Sequence, residues 1–195
     1  IPAIHTFVSL GSCTTNAIAP LITVLDQTFG LTSGMITTVH AYTNDQVLLD
    51  VDHRDPRRAR SAPLNIIPTK TGAKEMVGKL FPHLKDKVSA VALRVPTPVG
   101  SIIDFTFGAT RSFTIESINA AFAAAATTSL AGVITYETDP IVSSDIVGSQ
   151  VAMIFDSLLT QTAGPLGKVF AWYDNEYGYS NRLIEQVIEV GKSSV

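Results

Sequence analysis

Cys13 is the only cysteine in the chain, and it stands inside the polar run Gly11-Ser12-Cys13-Thr14-Thr15-Asn16. The strand-like Phe7 and Val8 come just before it, and Ile18, Leu21, Ile22 and Leu25 follow at helical spacing. The pattern predicts a strand turning into a helix, with Cys13 at or next to the first helical turn. Unpaired backbone N–H groups and the positive end of the helix dipole favour negative charge there, so the thiol is expected to be partly ionised near neutral pH. The plainer alternative is a small buried side chain, since free cysteine is among the most buried residue types. The surrounding hydroxyls weigh against it, because a packed core does not need them. One cysteine excludes a disulfide within the chain and a zinc site built on several thiolates, and no metal is expected.

A thiol becomes a strong nucleophile when an imidazole can take or balance its proton. Met35 to Tyr42 is rich in β-branched residues and reads as a strand that carries His40 near its end. One helix and one strand separate His40 from Cys13, so the two can meet. His5, His53 and His83 read as structural. Ser12, Thr14, Thr43, Thr71, Gly72, Arg58 and Arg94 are expected around the pair. Two guanidinium groups with several hydroxyls suit a phosphate, which arginine binds through two parallel hydrogen bonds. Thr71 and Gly72 open a second helix, whose first turn is either an anion site or an ordinary cap. Residues 43–65 have no strong period and hold Arg54, Arg57, Arg58 and Arg60; any one of these alone reads as a solvated side chain. Residue types and spacing support a cysteine enzyme acting on an anionic substrate.

The elements that must position these groups alternate along the chain. Gly30 stops the first helix. Ile66 to Pro68 is a short extended piece, and the helix behind Gly72 shows Ala73, Met76, Val77, Leu80 and Phe81 on one face before Pro82 closes it. Val88–Val95 and Ser101–Thr110 read as strands. Thr114 caps a helix bearing Ile118, Ala121, Phe122 and Ala125, and Val133–Tyr136, Val151–Phe155 and Val169–Tyr173 are further strands. A last helix turns Leu183, Ile184, Val187 and Ile188 inward. Strands outnumber helices and several follow one another closely, which predicts an α+β domain: a mixed, largely antiparallel sheet with helices on one face. There is no Gly-x-Gly-x-x-Gly, so no dinucleotide-binding βαβ unit is encoded.

The 195 residues suffice for one domain with a sizeable core, and 46% apolar with 16% charged residues fits a folded, water-soluble chain. A net charge of −3 gives no basic field for nucleic acid or membrane. No apolar run approaches a membrane span and no signal peptide is visible, which with one cysteine suggests the cytoplasm. The start at Ile1, without a methionine, suggests a piece of a longer protein.

Seven blocks occur in order: Ser12-Cys13-Thr14-Thr15-Asn16, Thr38-Val39-His40-Ala41-Tyr42-Thr43-Asn44-Asp45-Gln46, Arg57-Arg58-Ala59-Arg60, Asn65-Ile66-Ile67-Pro68, Thr71-Gly72-Ala73, Arg94-Val95-Pro96-Thr97-Pro98 and Trp172-Tyr173-Asp174-Asn175-Glu176. Together they resemble the catalytic half of the phosphorylating glyceraldehyde-3-phosphate dehydrogenase family, across essentially the whole of residues 1–195. The resemblance implies that Cys13 attacks the aldehyde of glyceraldehyde 3-phosphate, that His40 is the base, and that a hydride passes to NAD. Inorganic phosphate then releases the thioester as an acyl phosphate. It implies an oxyanion site made by the Cys13 N–H and His40. Thr43 and Arg94 resemble the site for the substrate's phosphate, and Ser12, Thr71, Gly72 and Arg58 that for the inorganic phosphate; Thr14 counts with the substrate- and phosphate-binding groups around the pair. Asn175 matches the residue that holds the nicotinamide carboxamide, and Tyr179 an aromatic beside that ring. Residues 43–65 match the loop that lies between subunits of a homotetramer.

The sequence departs from the common pattern in places. Ser9-Leu10-Gly11 replaces Ser-Asn-Ala, Ala17 stands where a second cysteine is frequent, and Val99-Gly100 replaces Asn-Val. Asp52 would repel a ribose 2′-phosphate, which favours NAD over NADP. The family's N-terminal Rossmann domain is not in this sequence, so the chain alone is expected to bind NAD poorly and to turn over little or not at all. The alternatives are erythrose-4-phosphate dehydrogenase, a non-catalytic binding module, and a cysteine hydrolase or acyltransferase without nicotinamide.

Overall fold

A computed structural model describes residues 4–5 and 7–192; Ile1 to Ala3, on which the reading of the chain's start partly rests, lie outside the described residues. The first helix, α1 (Cys13–Phe29), runs through the middle of the core. Ala17, Ile18, Leu21, Ile22 and Leu25 are buried along it, and it packs against four strands of the sheet and all three other helices. Its ends are cut by two glycines with positive φ. Gly11 (φ 73°) turns the chain into the helix, and Gly30 (φ 69°) ends it, its N–H donating to the Asp26 carbonyl at 2.8 Å. A side-chain-bearing residue adopts either conformation at a cost.

Seven strands form one sheet: β1 (Leu31–Ala41), β2 (Ile67–Thr69), β3 (Val88–Val95), β4 (Ser101–Ala109), β5 (Ile134–Glu137), β6 (Met153–Ala163) and β7 (Leu166–Tyr173). Their order is β2-β3-β1-β4-β7-β6-β5. The β1–β3 and β5–β6 pairs are parallel, and the other four are antiparallel. The remaining helices, α2 (Ala73–Leu80), α3 (Ile115–Thr127) and α4 (Tyr177–Lys192), join α1, with α2 against β3 and α3 against β5 and β6. The arrangement is the expected α+β fold with a mixed, largely antiparallel sheet. Strand period sets the inner face: Ser101, Ile103, Phe105 and Phe107 of β4 are buried in alternation, as are Gly167, Val169, Ala171 and Tyr173 of β7. On the opposite face Met35 is 71% exposed. Thr114 caps α3 in a reciprocal capping box with Ser117, as its position before the apolar run foretells.

Three expectations are corrected. Phe7 and Val8 form no strand and are exposed, Phe7 to 92%; the turn into α1 is made by Gly11 and the Ser12 cap. The strand expected at Val151–Phe155 instead covers Met153–Ala163, because residues beyond Phe155 pair with β7 around a turn at Gly164 (φ 57°), after a register irregularity between Asp156 and Gln161. The apolar stripe of α4 does not face inward: Leu183, Ile184, Val187 and Ile188 are all exposed. Its main contact is with α1, and its periodicity records a face with no cover among the described residues.

Residues 43–65 are irregular, as expected, but tied to themselves. Arg60 pairs with Asp50 at 3.0 Å, the Ser61 hydroxyl donates to the Leu48 carbonyl at 2.6 Å, and the Val51 N–H donates to the Ala59 carbonyl at 3.0 Å.

Candidate active site

Cys13 is the first residue of α1. The hydroxyl of the cap residue Ser12 accepts from the Thr15 N–H at 3.0 Å, which fixes the first turn. His40, near the end of β1, brings its Nε2 to 3.5 Å from the Cys13 sulfur. The two sit on one wall of a cavity of about 420 Å³, to which Ser12, Thr14, Thr43, Thr71, Gly72 and Arg94 also contribute. Eight of the eleven expected site residues therefore meet in one place. The parallel register of β1 and β3 sets Arg94 beside His40. Gly72 is the cap of α2 and offers no side-chain acceptor of its own; the Thr71 hydroxyl accepts from the Ala73 N–H at 3.3 Å.

The other three expected residues lie off this cavity. Arg58 faces a neighbouring cavity of about 830 Å³ with Arg54, Arg57 and Lys70. It is held there by Asp45 and Asp55, and its Nε donates to the Thr69 hydroxyl at 2.8 Å. Asn175 is buried, and its side-chain oxygen accepts from the Gly100 N–H at 3.0 Å and the Ser101 hydroxyl at 3.3 Å. Its amide nitrogen makes only a long contact, 3.4 Å, to Glu176. Tyr179 on α4 donates to the Gly11 carbonyl at 3.2 Å, beside the cavity's rim.

Two residues of the site went unread in the sequence as functional. Tyr173 is fully buried beneath the pair. Its hydroxyl is 2.9 Å from the Thr14 hydroxyl and 2.8 Å from that of Thr38, and its ring meets the His40 imidazole edge to face at 5.8 Å. Its signals were its place at the end of an alternating strand and within the Trp172–Glu176 block. Lys70 lines both cavities, and its charge beside Thr71 was the available hint.

The electrostatics correct the expectation of a partly ionised thiol. Burial pushes the Cys13 thiol above its ordinary range. The Thr14 hydroxyl, the backbone N–H groups of Thr14 and Cys13, and the Arg94 charge all favour the thiolate, but together they offset less than desolvation adds. Burial, and then the Arg94 charge, lower His40 to about 4, against a hydrogen bond to Ala41 that acts the other way. Both shifts favour the uncharged forms, thiol and neutral imidazole. Burial also raises Tyr173 and lowers Arg94.

Arg94 has no carboxylate partner among the described residues, and its Nε is buried without a hydrogen bond. Hydroxyls, the α1 N-terminus and this guanidinium make the cavity a place for an anion beside a cysteine. Among the described residues no group of three or more His, Cys, Asp or Glu could hold a metal.

Comparison with known proteins agrees with this geometry. Residues 12–175 match the family described as glyceraldehyde 3-phosphate dehydrogenase, C-terminal domain. Among curated relatives, glyceraldehyde-3-phosphate dehydrogenase of Mycobacterium avium is 53% identical over 186 residues, 95% of this chain and 55% of that protein. That of Kitasatospora aureofaciens is 53% identical over 184 residues, 94% of this chain and 55% of that protein. Glyceraldehyde-3-phosphate dehydrogenase 2 of Streptomyces avermitilis is 49% identical over 191 residues, covering 97% and 57%. The chain spans about half the length of the curated relatives it matches.

Proposed function

The chain belongs to the family of the glyceraldehyde 3-phosphate dehydrogenase C-terminal domain, and from that premise we propose that it is the catalytic domain of an enzyme that oxidises glyceraldehyde 3-phosphate to an acyl phosphate. The observation that carries this reading is the 3.5 Å approach of Cys13 to His40 in a cavity shared with Arg94, Thr43, Ser12, Thr71 and Gly72.

The Cys13 sulfur attacks the aldehyde carbon, and its proton passes by way of His40 to the new oxyanion, giving a hemithioacetal. The backbone N–H of Cys13, at the open end of α1, donates to the oxygen as charge develops. Thr43 and Arg94 hold the substrate's own phosphate. His40 takes the hydroxyl proton as the carbon is oxidised, leaving a thioester on Cys13; a nicotinamide held by Asn175 and Tyr179 would supply the hydride acceptor. Inorganic phosphate at Ser12, Thr71 and Gly72 attacks the thioester carbonyl; the C–S bond breaks, and the acyl phosphate leaves. Arg58 joins this phosphate only by turning away from Asp45 and Asp55, whereas Thr14 steadies Cys13 from below.

The residues present suit the nicotinamide end of the cofactor. The Asn175 side chain is fixed by its oxygen, and its amide nitrogen is left to donate to a carboxamide. Tyr179 stands at the rim. Asp52, exposed in the 43–65 loop, supports NAD over NADP. The exposed apolar residues of the outer sheet face and of the 43–65 loop (Met35, Leu48, Leu49) support a homotetramer. The single free cysteine supports a reducing cytoplasm, and among the described residues no helix is long and apolar enough to cross a membrane.

The reverse of the second half needs no cofactor and tests the proposal on this chain alone. 1,3-Bisphosphoglycerate should acylate Cys13, seen by intact mass as a phosphoglyceryl thioester that free phosphate removes. Acetyl phosphate, which lacks the second phosphate, should react at least tenfold more slowly. No adduct, or equal rates, refutes the assignment.

A further inference from the structure

The catalytic cavity and the larger cavity beside it meet at one residue, Lys70, which lines both. It follows Thr69, the last residue of β2, whose hydroxyl accepts from Arg58 Nε at 2.8 Å on the side of the larger cavity. It precedes Thr71, whose hydroxyl accepts from the Ala73 N–H in the first turn of α2, on the side of the smaller one. Lys70 itself is exposed.

Charge is unevenly spread over this junction. The whole chain carries a net charge of −3, so on average it repels a phosphate dianion. The larger cavity is lined by Arg54, Arg57, Arg58 and Lys70 against one carboxylate, Asp55. Arg58 is already engaged, by Asp45 and Asp55. The side chains of Arg54, Arg57 and Lys70 form no ion pair or hydrogen bond among the described residues. No carboxylate lines the smaller cavity, whose two cations besides His40 are Lys70 and Arg94. Glu75, in the first turn of α2, lines a third cavity. A local positive potential therefore spans the two cavities, against the sign of the chain as a whole.

The two ends of the smaller cavity are not equally supplied. Arg94 stands beside His40 through the register of β1 and β3, where the substrate's own phosphate is placed. The end formed by Ser12, Thr71 and Gly72, where inorganic phosphate is placed, has hydroxyls and backbone N–H groups but no guanidinium, since Arg58 reaches it only by leaving two carboxylates. A Cβ built on Gly72 would meet no atom within 4 Å, so the start of α2 beside Lys70 is open.

We propose that Lys70 is the cation that binds the incoming inorganic phosphate, and that the larger cavity is a vestibule in which Arg54 and Arg57 concentrate that anion before it passes Lys70. This inference rests on the phosphate site proposed above. An ammonium on a flexible stem follows a moving anion from one cavity to the other without breaking an ion pair, whereas Arg58 must break two. The covalent step keeps its form: a phosphate oxygen bonds to the thioester carbon, the C–S bond breaks, and the electron pair returns to sulfur. Lys70 adds affinity for the attacking phosphate.

The test uses this chain, acylated on Cys13 by 1,3-bisphosphoglycerate and freed of excess reagent. Loss of the thioester is followed by intact mass against the concentration of inorganic phosphate, at constant ionic strength. Lys70→Gln should raise the phosphate concentration for half-maximal release about three- to tenfold and leave the maximal rate within about twofold, as loss of a ground-state contact does. Release by hydroxylamine, a neutral nucleophile, should be unchanged, and Lys70→Arg should restore most of the phosphate affinity. The double variant Arg54→Gln, Arg57→Gln should raise the same concentration about twofold at low salt and lose that effect in about 0.5 M potassium chloride, where screening falls to a few ångströms. A wild-type phosphate dependence in Lys70→Gln overturns the role of Lys70, and so does an equal loss of release by hydroxylamine, which marks a disturbed cavity. A double variant with no effect at low salt, or with the same effect at both salts, overturns the vestibule. Absence of a thioester on Cys13, seen before any phosphate is added, overturns the catalytic reading and this proposal with it.

Discussion

Tyr173→Phe removes one oxygen atom from beneath the site and keeps the ring. That oxygen is 2.9 Å from the Thr14 hydroxyl and 2.8 Å from the Thr38 hydroxyl. Thr38 is 1% exposed and Thr14 is 5% exposed, so water does not take the vacated place. Thr14 keeps only a 4.0 Å contact with the Cys13 sulfur. Losing a buried hydrogen bond and stranding its partner costs about 1–1.5 kcal/mol each, so the substitution should destabilise the chain by about 2–3 kcal/mol. Urea unfolding reads this directly, with an unchanged m-value. In a Thr38→Val background only the Thr14 bond remains to be lost, and the same change should cost about 1 kcal/mol, a coupling of about 1 kcal/mol or more between the two positions. A loss below about 0.5 kcal/mol in the wild-type background, or strict additivity, would show that the hydroxyl does not clamp α1 to β1.

Other outcomes follow from the same structure. His40, held to about 4 when folded against an ordinary 6.5, binds its proton more readily in the unfolded chain. Its contribution is intact above pH 6.5 and falls away toward pH 4 by about 3 kcal/mol; His40→Asn should flatten that limb of a urea-stability profile. Cys13, raised by burial, should be alkylated by iodoacetamide with a midpoint above the ~8.5 of an unhindered thiol; a midpoint below about 7 would mean that the α1 N-terminus and Arg94 outweigh desolvation. Phe122 and Phe155 stack at 3.8 Å, 11° apart and fully buried, so Phe122→Ala should cost about 3–5 kcal/mol by thermal or urea unfolding. Ile184→Lys on the exposed face of α4 should change the stability of this chain by less than about 0.5 kcal/mol.

The fold was legible where one physical rule acted alone. The alternation in β4 and β7 follows from strand period, Gly30 from the left-handed end of α1, and Thr114 from the unpaired amides of α3. Reading failed where a pattern needed a partner to acquire meaning. Leu183, Ile184, Val187 and Ile188 repeat at helical spacing whatever covers them, so the period identifies the helix and says nothing of its neighbour. Phe7 and Val8 are apolar and β-prone, yet no strand edge meets them. The second half of β6 lacks alternation and is a strand because β7 offers it hydrogen bonds.

The candidate site shows the same division between residue type and environment. Cys13, His40 and Arg94 could be picked out because thiol, imidazole and guanidinium are uncommon in such places. Tyr173 could not, because a tyrosine ending an alternating strand reads as core, and it is core; its hydroxyl matters only because Thr14 and Thr38 converge on it from two other elements. The ionisation of Cys13 was misjudged for a related reason. A helix N-terminus is visible in sequence and favours the thiolate, whereas the desolvation that opposes it arises from side chains scattered along the chain. Which of the two prevails is a property of the folded cavity. Burial therefore biases the site toward a neutral thiol and a neutral imidazole, beside a guanidinium whose nearest contacts are that imidazole and a backbone carbonyl.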